Sequence, residues 1–149
     1  MRFLGLDYGE KYVGVSLSDR LNIIASPYSV LVKNGDEAYK PIMKDIKEII
    51  KAEGITHIVL GLPKNLDNTE GKRCVYTRLF LDKLEKYFKK VEVILQDERF
   101  TTNQALRVMA DMDFNIEEKN NNIDKIASSF ILQSYLDFYN KNKNKDVLN

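Results

Sequence analysis

Cysteine and histidine occur once each, at Cys74 and His57, so the chain closes no internal disulfide and has no Cys/His cluster with structural-zinc spacing. A reducing cytoplasm is the expected setting. Neither sign of charge is in excess. Twenty-three Lys and Arg stand against 22 Asp and Glu, a formal charge of +1, so a polyanion would have to be held by a local basic patch and not by bulk attraction. No run approaches the roughly 18 apolar residues of a membrane span, and the first carboxylate, Asp7, comes too early for the apolar stretch of a secretory signal. Gly5, Gly9 and Gly14 lack dinucleotide-fingerprint spacing, and Gly71-Lys72 lacks the upstream glycine and following hydroxyl residue of a phosphate loop. What remains, 149 residues of which 44% are apolar and 30% charged, suits one domain over residues 1–140 with a flexible Lys- and Asn-rich tail over 141–149.

Periodicity divides that domain. Residues 2–7 form a short apolar run closed by Asp7, and residues 12–18 alternate after a tight connection, which predicts a hairpin. A third strand over residues 23–32 contains Pro27, which places it on an edge or at a bulge. Residues 36–53 repeat apolar side chains at steps of three and four (Tyr39, Ile42, Met43, Ile46, Ile49, Ile50) and stop at Gly54, the pattern of an amphipathic helix. A buried strand over 57–62 leads into a polar loop over 63–71. A helix over 72–89 then follows, with its apolar face expected at Val75, Leu79, Leu84 and Phe88, and next a strand over 91–95 running into Asp97-Glu98. A further helix opens after Thr101 and Thr102 with Ala105, Leu106 and Met109 on one face. A polar linker over 115–122 then precedes a last helix bearing Ile123, Ile126, Ala127, Phe130, Ile131 and Tyr135. The order β-β-β-α-β-α-β-α-α describes an α/β domain: a mixed five-stranded sheet, three strands antiparallel and two parallel, with helices on its faces.

Ligands of open α/β sheets gather at the carboxyl ends of the parallel strands. That rule brings Asp7, the 63–71 loop and Glu98 together, with Asp124, expected in the first turn of the last helix, as a third acid. Each has an ordinary alternative. Asp7 could cap a turn, Glu98 could pair with Arg99 or leave the role to Asp97, and Asp124 could serve as a helix cap at the positive end of the dipole. Taken together, converging carboxylates repel unless a hard divalent cation neutralises them. One or two Mg²⁺ or Mn²⁺ ions on such ligands perform phosphodiester hydrolysis. Lys11, Lys64, Arg73, Arg99 and Lys125 flank the acids in sequence and form a candidate rim for phosphates, although any one of them also serves to solvate a surface. His57 and Cys74 have no partner pattern for catalysis and are expected to be structural.

Four segments then resemble a known family. They are Leu4-Gly5-Leu6-Asp7-Tyr8-Gly9-Glu10-Lys11 with Val13-Gly14-Val15-Ser16 and Ser18-Asp19; Gly61-Leu62-Pro63 through Thr69-Glu70-Gly71; Asp97-Glu98-Arg99-Phe100-Thr101-Thr102; and Asp124 through Asp137. In that order and with those gaps they resemble the YqgF/RuvX family over nearly the whole chain. The resemblance implies a ribonuclease H-like fold and a metal-dependent endonuclease. Members are described both as Holliday junction resolvases, by structural similarity, and as nucleases that mature the 5′ end of pre-16S rRNA in ribosome biogenesis. By position, the family's catalytic and metal-binding acids fall on Asp7, Glu98 and Asp124, with Lys11, Arg73, Arg99, Thr101 and Thr102 as substrate contacts. Tyr12 stands where the family often has Arg, Asn68 where its loop often has Gly, and Ser128-Ser129 where it usually has an Ala pair. The expected partners are pre-16S rRNA, with branched DNA as the alternative, and ribosomal precursor particles; the protein would act as a monomer on RNA or a homodimer on a two-fold junction. A non-catalytic nucleic-acid-binding module of the same fold is a further reading. An actin-like ATPase or sugar kinase would need a second domain for which the chain has no room.

Overall fold

The computed structural model describes residues 1–35, 39–98 and 116–148, and the side chains of these except 116–122 and 144–148. Its elements are β1 (Phe3–Tyr8), β2 (Tyr12–Ser18), β3 (Ala25–Val32), α1 (Tyr39–Glu53), β4 (His57–Leu62), α2 (Lys72–Tyr87), β5 (Glu92–Asp97) and α3 (Ile116–Leu148). The helix expected after Thr102 lies outside the described residues.

The strands form one sheet in the order β3-β2-β1-β4-β5. β1 and β2 pair antiparallel, as do β2 and β3, while β4 runs parallel to both β1 and β5. This is the mixed sheet that the hairpin and crossover pattern implies. Pro27 lies on the edge strand, where a residue without an N–H is best tolerated, and the β2–β3 register slips there: Val15 faces Ser29 but Ser16 faces Pro27.

Alternation along each strand divides two cores. Leu4, Leu6 and Tyr8 of β1, Val13, Val15 and Leu17 of β2, and Ile58 and Leu60 of β4 face α1 and α2, where they meet Ile42, Met43, Ile46, Phe80 and Leu84. Phe3 and Val59 point to the other face and meet Ile131, Leu132 and Leu136 of α3. Helices therefore cover both faces, and the central strands are buried throughout. Each such fully buried aliphatic or aromatic side chain contributes about 1.5–3 kcal/mol.

Two expectations need correction. On α2 the buried positions are Cys74, Thr77, Phe80 and Leu84, whereas Val75 and Leu79 are 58% and 48% exposed. Valine and leucine attracted the sequence reading, but Thr77 can be buried because its hydroxyl donates to the Arg73 carbonyl (2.8 Å). In addition, no linker separates off residues 116–122. α3 begins at Ile116 and continues helically over 141–148, the stretch assigned above to a tail. His57 and Cys74 are packed as structural side chains. The imidazole lies against the Phe3 ring and 3.1 Å from Glu92, and the thiol is fully buried.

Candidate active site

Asp7, Glu98 and Asp124 come from three elements and meet on the α3 face of the sheet. Asp7 is the second-last residue of β1, opposite Gly14 of β2, and points away from the Leu6 and Tyr8 side chains toward α3. Glu98 follows β5, and its N–H donates to the Leu62 carbonyl (3.1 Å), extending the β4–β5 pairing by one step. Alternation then decides between the two neighbouring acids. Val93 and Leu95 pack toward α1 and α2 and Ile94 toward α3, so Glu98 shares the face of Ile94 and Asp7. Asp97 falls on the opposite face and is exposed.

Asp124 reaches the same place by a route the sequence misjudges. Because α3 starts at Ile116, Asp124 sits in its third turn and not its first, so neither capping nor the helix dipole explains it. It continues the stripe of Ala127, Ser128, Ile131 and Leu132 that rests on the sheet. That approach depends on residues with no side chain. A Cβ placed on Gly14 would stand 2.0 Å from the Asp124 carbonyl oxygen, and one on Gly5 would stand 2.9 Å from Leu132 Cβ. A Cβ on Gly61 would lie 2.5 Å from Glu98 Oε2. Gly5, Gly14 and Gly61 thus make a smooth floor on which α3 and the Glu98 side chain lie flat, and Ser16 locks the contact by donating to the Ser128 carbonyl (2.9 Å). These floor residues went unrecognised as part of the site. An isolated glycine inside a strand pattern is the signal that points to them.

Burial raises all three carboxyls above their ordinary range, and the Asp7 charge adds to it at Glu98 and Asp124. Burial is the main cause for both Asp7 and Glu98; the neighbouring Asp7 charge pushes Glu98 up further, and the hydrogen bond between the two carboxyls raises Glu98 while it lowers Asp7. Asp124 is pushed up to about 7, by burial first and by Asp7 second. Arg73, at the start of α2, opposes this by stabilising the charge on both Asp7 and Glu98. Its guanidinium donates to the Tyr8 carbonyl (3.1 Å) and lies over the Tyr8 and Tyr76 rings. A hollow of about 160 Å³ lined by Glu10, Lys72, Arg73 and Tyr76 opens beside it.

Of the other expected contacts, Lys11 stands exposed in the β1–β2 turn, and Lys64 lies in the 63–71 loop, donating to Asn68 (3.3 Å). Asn68 has φ +73°, a left-handed conformation that glycine adopts freely and asparagine tolerates, so its replacement of the family's glycine preserves the loop. Arg99, Thr101 and Thr102 lie outside the described residues. Among the described residues no three Asp, Glu, His or Cys side chains form a ready metal cluster. The donor set nevertheless suits a hard cation: all oxygen, largely buried, and gathered where a cation would relieve the repulsion that the Asp7 charge exerts on Glu98 and Asp124.

The RuvX family model, described as Holliday junction resolvase, matches residues 1–138. The chain belongs to the RuvX family. A protein of Agathobacter rectalis named "Putative pre-16S rRNA nuclease" is 41% identical over 143 residues, covering 96% of this chain and 99% of its own. One of Leuconostoc mesenteroides with the same name is 44% identical over 139 residues, covering 92% and 95%. Among solved structures, Thermus thermophilus RuvC in complex with a Holliday junction substrate superposes with a TM-score of 0.58 at 13% identity, over 91% of this chain and 94% of that one. Fowlpox virus resolvase with Holliday junction DNA gives 0.55 at 14% identity, over 93% and 99%. The RuvX chain described above therefore has a ribonuclease H-like fold.

Proposed function

We propose that this RuvX protein is a metal-dependent endonuclease that hydrolyses phosphodiester bonds in the 5′-end maturation of pre-16S rRNA. The observation that carries the reading is the convergence of Asp7, Glu98 and Asp124 on one face, close enough that Asp7 and Glu98 are hydrogen-bond partners and the Asp7 charge acts on both of the others. Such a cluster destabilises the empty fold and has an evident use once a cation occupies it. The names of the full-length relatives supply the substrate.

Asp7, Glu98 and Asp124 are the residues that would hold one or two Mg²⁺ or Mn²⁺ ions. When bound, such ions supply Lewis acidity toward water and toward the phosphoryl oxygens. The remaining work falls to the chain. The glycine floor fixes the spacing of the acids, Arg73 offsets their charge, and Lys72 with Arg73 presents cations to a neighbouring phosphate at the hollow beside Tyr76. Lys11, Arg99, Thr101 and Thr102 would extend that track, as the family motif implies. The reading carries with it a cytoplasmic location. It agrees with the single buried cysteine and with a structure in which no described helix is long and apolar enough to cross a membrane.

Resolution of branched DNA is the second reading, favoured by the family description and by the fold shared with two resolvases. The test sets wild-type and Asp7→Asn protein against a pre-16S rRNA leader and a four-way DNA junction, each with Mn²⁺ and with EDTA, with oligomeric state measured in the same buffer. Cleavage of the RNA that requires Mn²⁺ and falls at least ~10²-fold in Asp7→Asn is the expected result. Symmetric junction cutting by a dimer would transfer the assignment to resolution. Binding without cutting of either would make the protein a nucleic-acid-binding module.

A further inference from the structure

The two peptide carbonyls that follow Asp7 each accept a hydrogen bond from a cation, and the two cations come from distant parts of the chain. Arg73 of α2 donates to the Tyr8 carbonyl (3.1 Å), and Lys33, just past β3, donates from Nζ to the Gly9 carbonyl (2.9 Å). Lys33 is 7% exposed. Its ammonium lies 3.8 Å from the centre of the Tyr8 ring, whose stacking partner is Phe80 at 4.2 Å. Its own N–H donates to the Lys11 carbonyl (2.9 Å), so the residue is tied to the β1–β2 turn at both main chain and side chain. A buried ammonium is costly unless oxygen acceptors or a π face replace its water, and here both do.

The turn so held is part of the acid cluster. The Gly9 N–H donates to the Tyr12 carbonyl (2.9 Å), closing the hairpin, and a Cβ on Gly9 would lie 3.5 Å from Asp124 Oδ1. Gly9 therefore stands between the strand end that carries Asp7 and the helix that carries Asp124. We propose that Lys33 is a positioning residue: from its seat on the Tyr8 ring it holds the Gly9 carbonyl and so fixes the turn that sets Asp7 against Asp124. The proposal rests on the reading of Asp7 as an acid of the nuclease site. A lysine kept only to fill space would be replaced by methionine without loss, because an apolar side chain of similar length removes a desolvation cost.

The experiment compares wild type with Lys33→Met, which keeps the apolar stem, and Lys33→Arg, which keeps a cationic donor over the ring. Three quantities are measured: thermal midpoint, amide hydrogen exchange at Gly9 and Leu6, and kcat and KM for the RNA leader with Mn²⁺. In Lys33→Met the expected result is Gly9 exchange at least tenfold faster with Leu6 unchanged. Its kcat is expected to fall about tenfold at unchanged KM, with recovery to within about threefold in Lys33→Arg. Unchanged Gly9 exchange, or faster exchange with full kcat, overturns the proposal. If Lys33→Met does not fold, Lys33→Arg decides: wild-type Gly9 exchange and kcat support the clamp, and tenfold loss of either refutes it. A wild type that cuts neither RNA nor junction refutes the nuclease reading instead, and Gly9 exchange then judges the clamp alone.

Discussion

Gly14→Ala tests the idea that close approach of α3 builds the site. The added methyl would stand 2.0 Å from the Asp124 carbonyl oxygen, 2.4 Å from its carbonyl carbon and 2.9 Å from the Lys125 nitrogen, all of them backbone atoms that no rotamer change can move. Restoring ordinary contact near 3.4 Å requires the helix to retreat by about 1.4 Å at that turn. Overpacking of this kind costs about 1–3 kcal/mol, the upper end applying where only backbone can yield, and lowers the thermal midpoint of a chain this size by roughly 3–10 °C. The larger effect falls on cleavage. A misplacement of about 1 Å at a reacting centre costs on the order of 10²-fold in rate, and here the displaced residue is Asp124 itself. Gly54→Ala is the control. At φ +64° it strains the backbone by about 1–2 kcal/mol, yet nothing lies within 4 Å of the added methyl, and it sits at the end of α1, away from the acids. Melting curves and initial rates of RNA cleavage, taken well below either midpoint, should show both variants destabilised and only Gly14→Ala slowed about 10²-fold. Cleavage by Gly14→Ala within threefold of wild type, or equal slowing of the two variants, refutes the reasoning.

Other expectations follow from the same geometry. Asp124 titrates near 3.8 in the unfolded chain but is pushed up to about 7 in the fold, so between these values the folded state binds more protons and its stability falls as pH rises. With EDTA present, Asp124→Asn should therefore melt increasingly above wild type from pH 5 to pH 8; a difference that does not grow with pH contradicts the upward shift of Asp124 by burial and the Asp7 charge. Mn²⁺ should raise the wild-type midpoint more at pH 8 than at pH 5.5, because ligation requires the ionised carboxylates, and equal shifts at both pH values would remove the acids from the metal site. On α2, Phe80→Ala should cost about 3–5 kcal/mol in urea unfolding, since the ring is fully buried against Tyr8. Val75→Lys should stay within about 0.5 kcal/mol, and the reverse order would mean that the face was correctly read from the sequence.

What could be read in advance depended on whether the signal was local. The β4 run His57–Leu62 and the α1 stripe from Tyr39 to Ile50 carry their periodicity in consecutive residues, and both elements form where it indicates. Asp7 and Glu98 were reachable because a strand end is a local feature and the parallel arrangement follows from the element order. The failures concern information held elsewhere in the chain. Glu98 and Asp97 cannot be separated until the face opposite α3 is known, which depends on how β5 pairs with β4. Asp124 was assigned to a first turn because the Asn-rich residues before it have weak helix propensity, yet the helix they begin is long and rests on the sheet. Lys33 sits in a polar stretch after an edge strand, where a lysine is expected in water; its burial follows from the ring of Tyr8, 25 positions away in sequence.

The glycine floor and the raised carboxyls are one phenomenon. Three acids from β1, the residue after β5 and α3 repel only as strongly as their separation allows, and the separation is set by how closely α3 lies on Gly5 and Gly14 and how far Glu98 folds over Gly61. A methyl on any of the three would ease the repulsion and disperse the acids in one step. The unfavourable electrostatics therefore cannot be removed by local repacking without removing the arrangement that makes the acids useful together. It follows that stabilising substitutions should concentrate at this site when selection is for folding alone. Asp7→Asn, which removes a buried acid beside Glu98 and keeps its shape, should raise the midpoint in EDTA at pH 8 while abolishing cleavage. Loss of both stability and cleavage in that variant would mean that Asp7 holds the strand end in place and that its hydrogen bond to Glu98 belongs to the architecture alone.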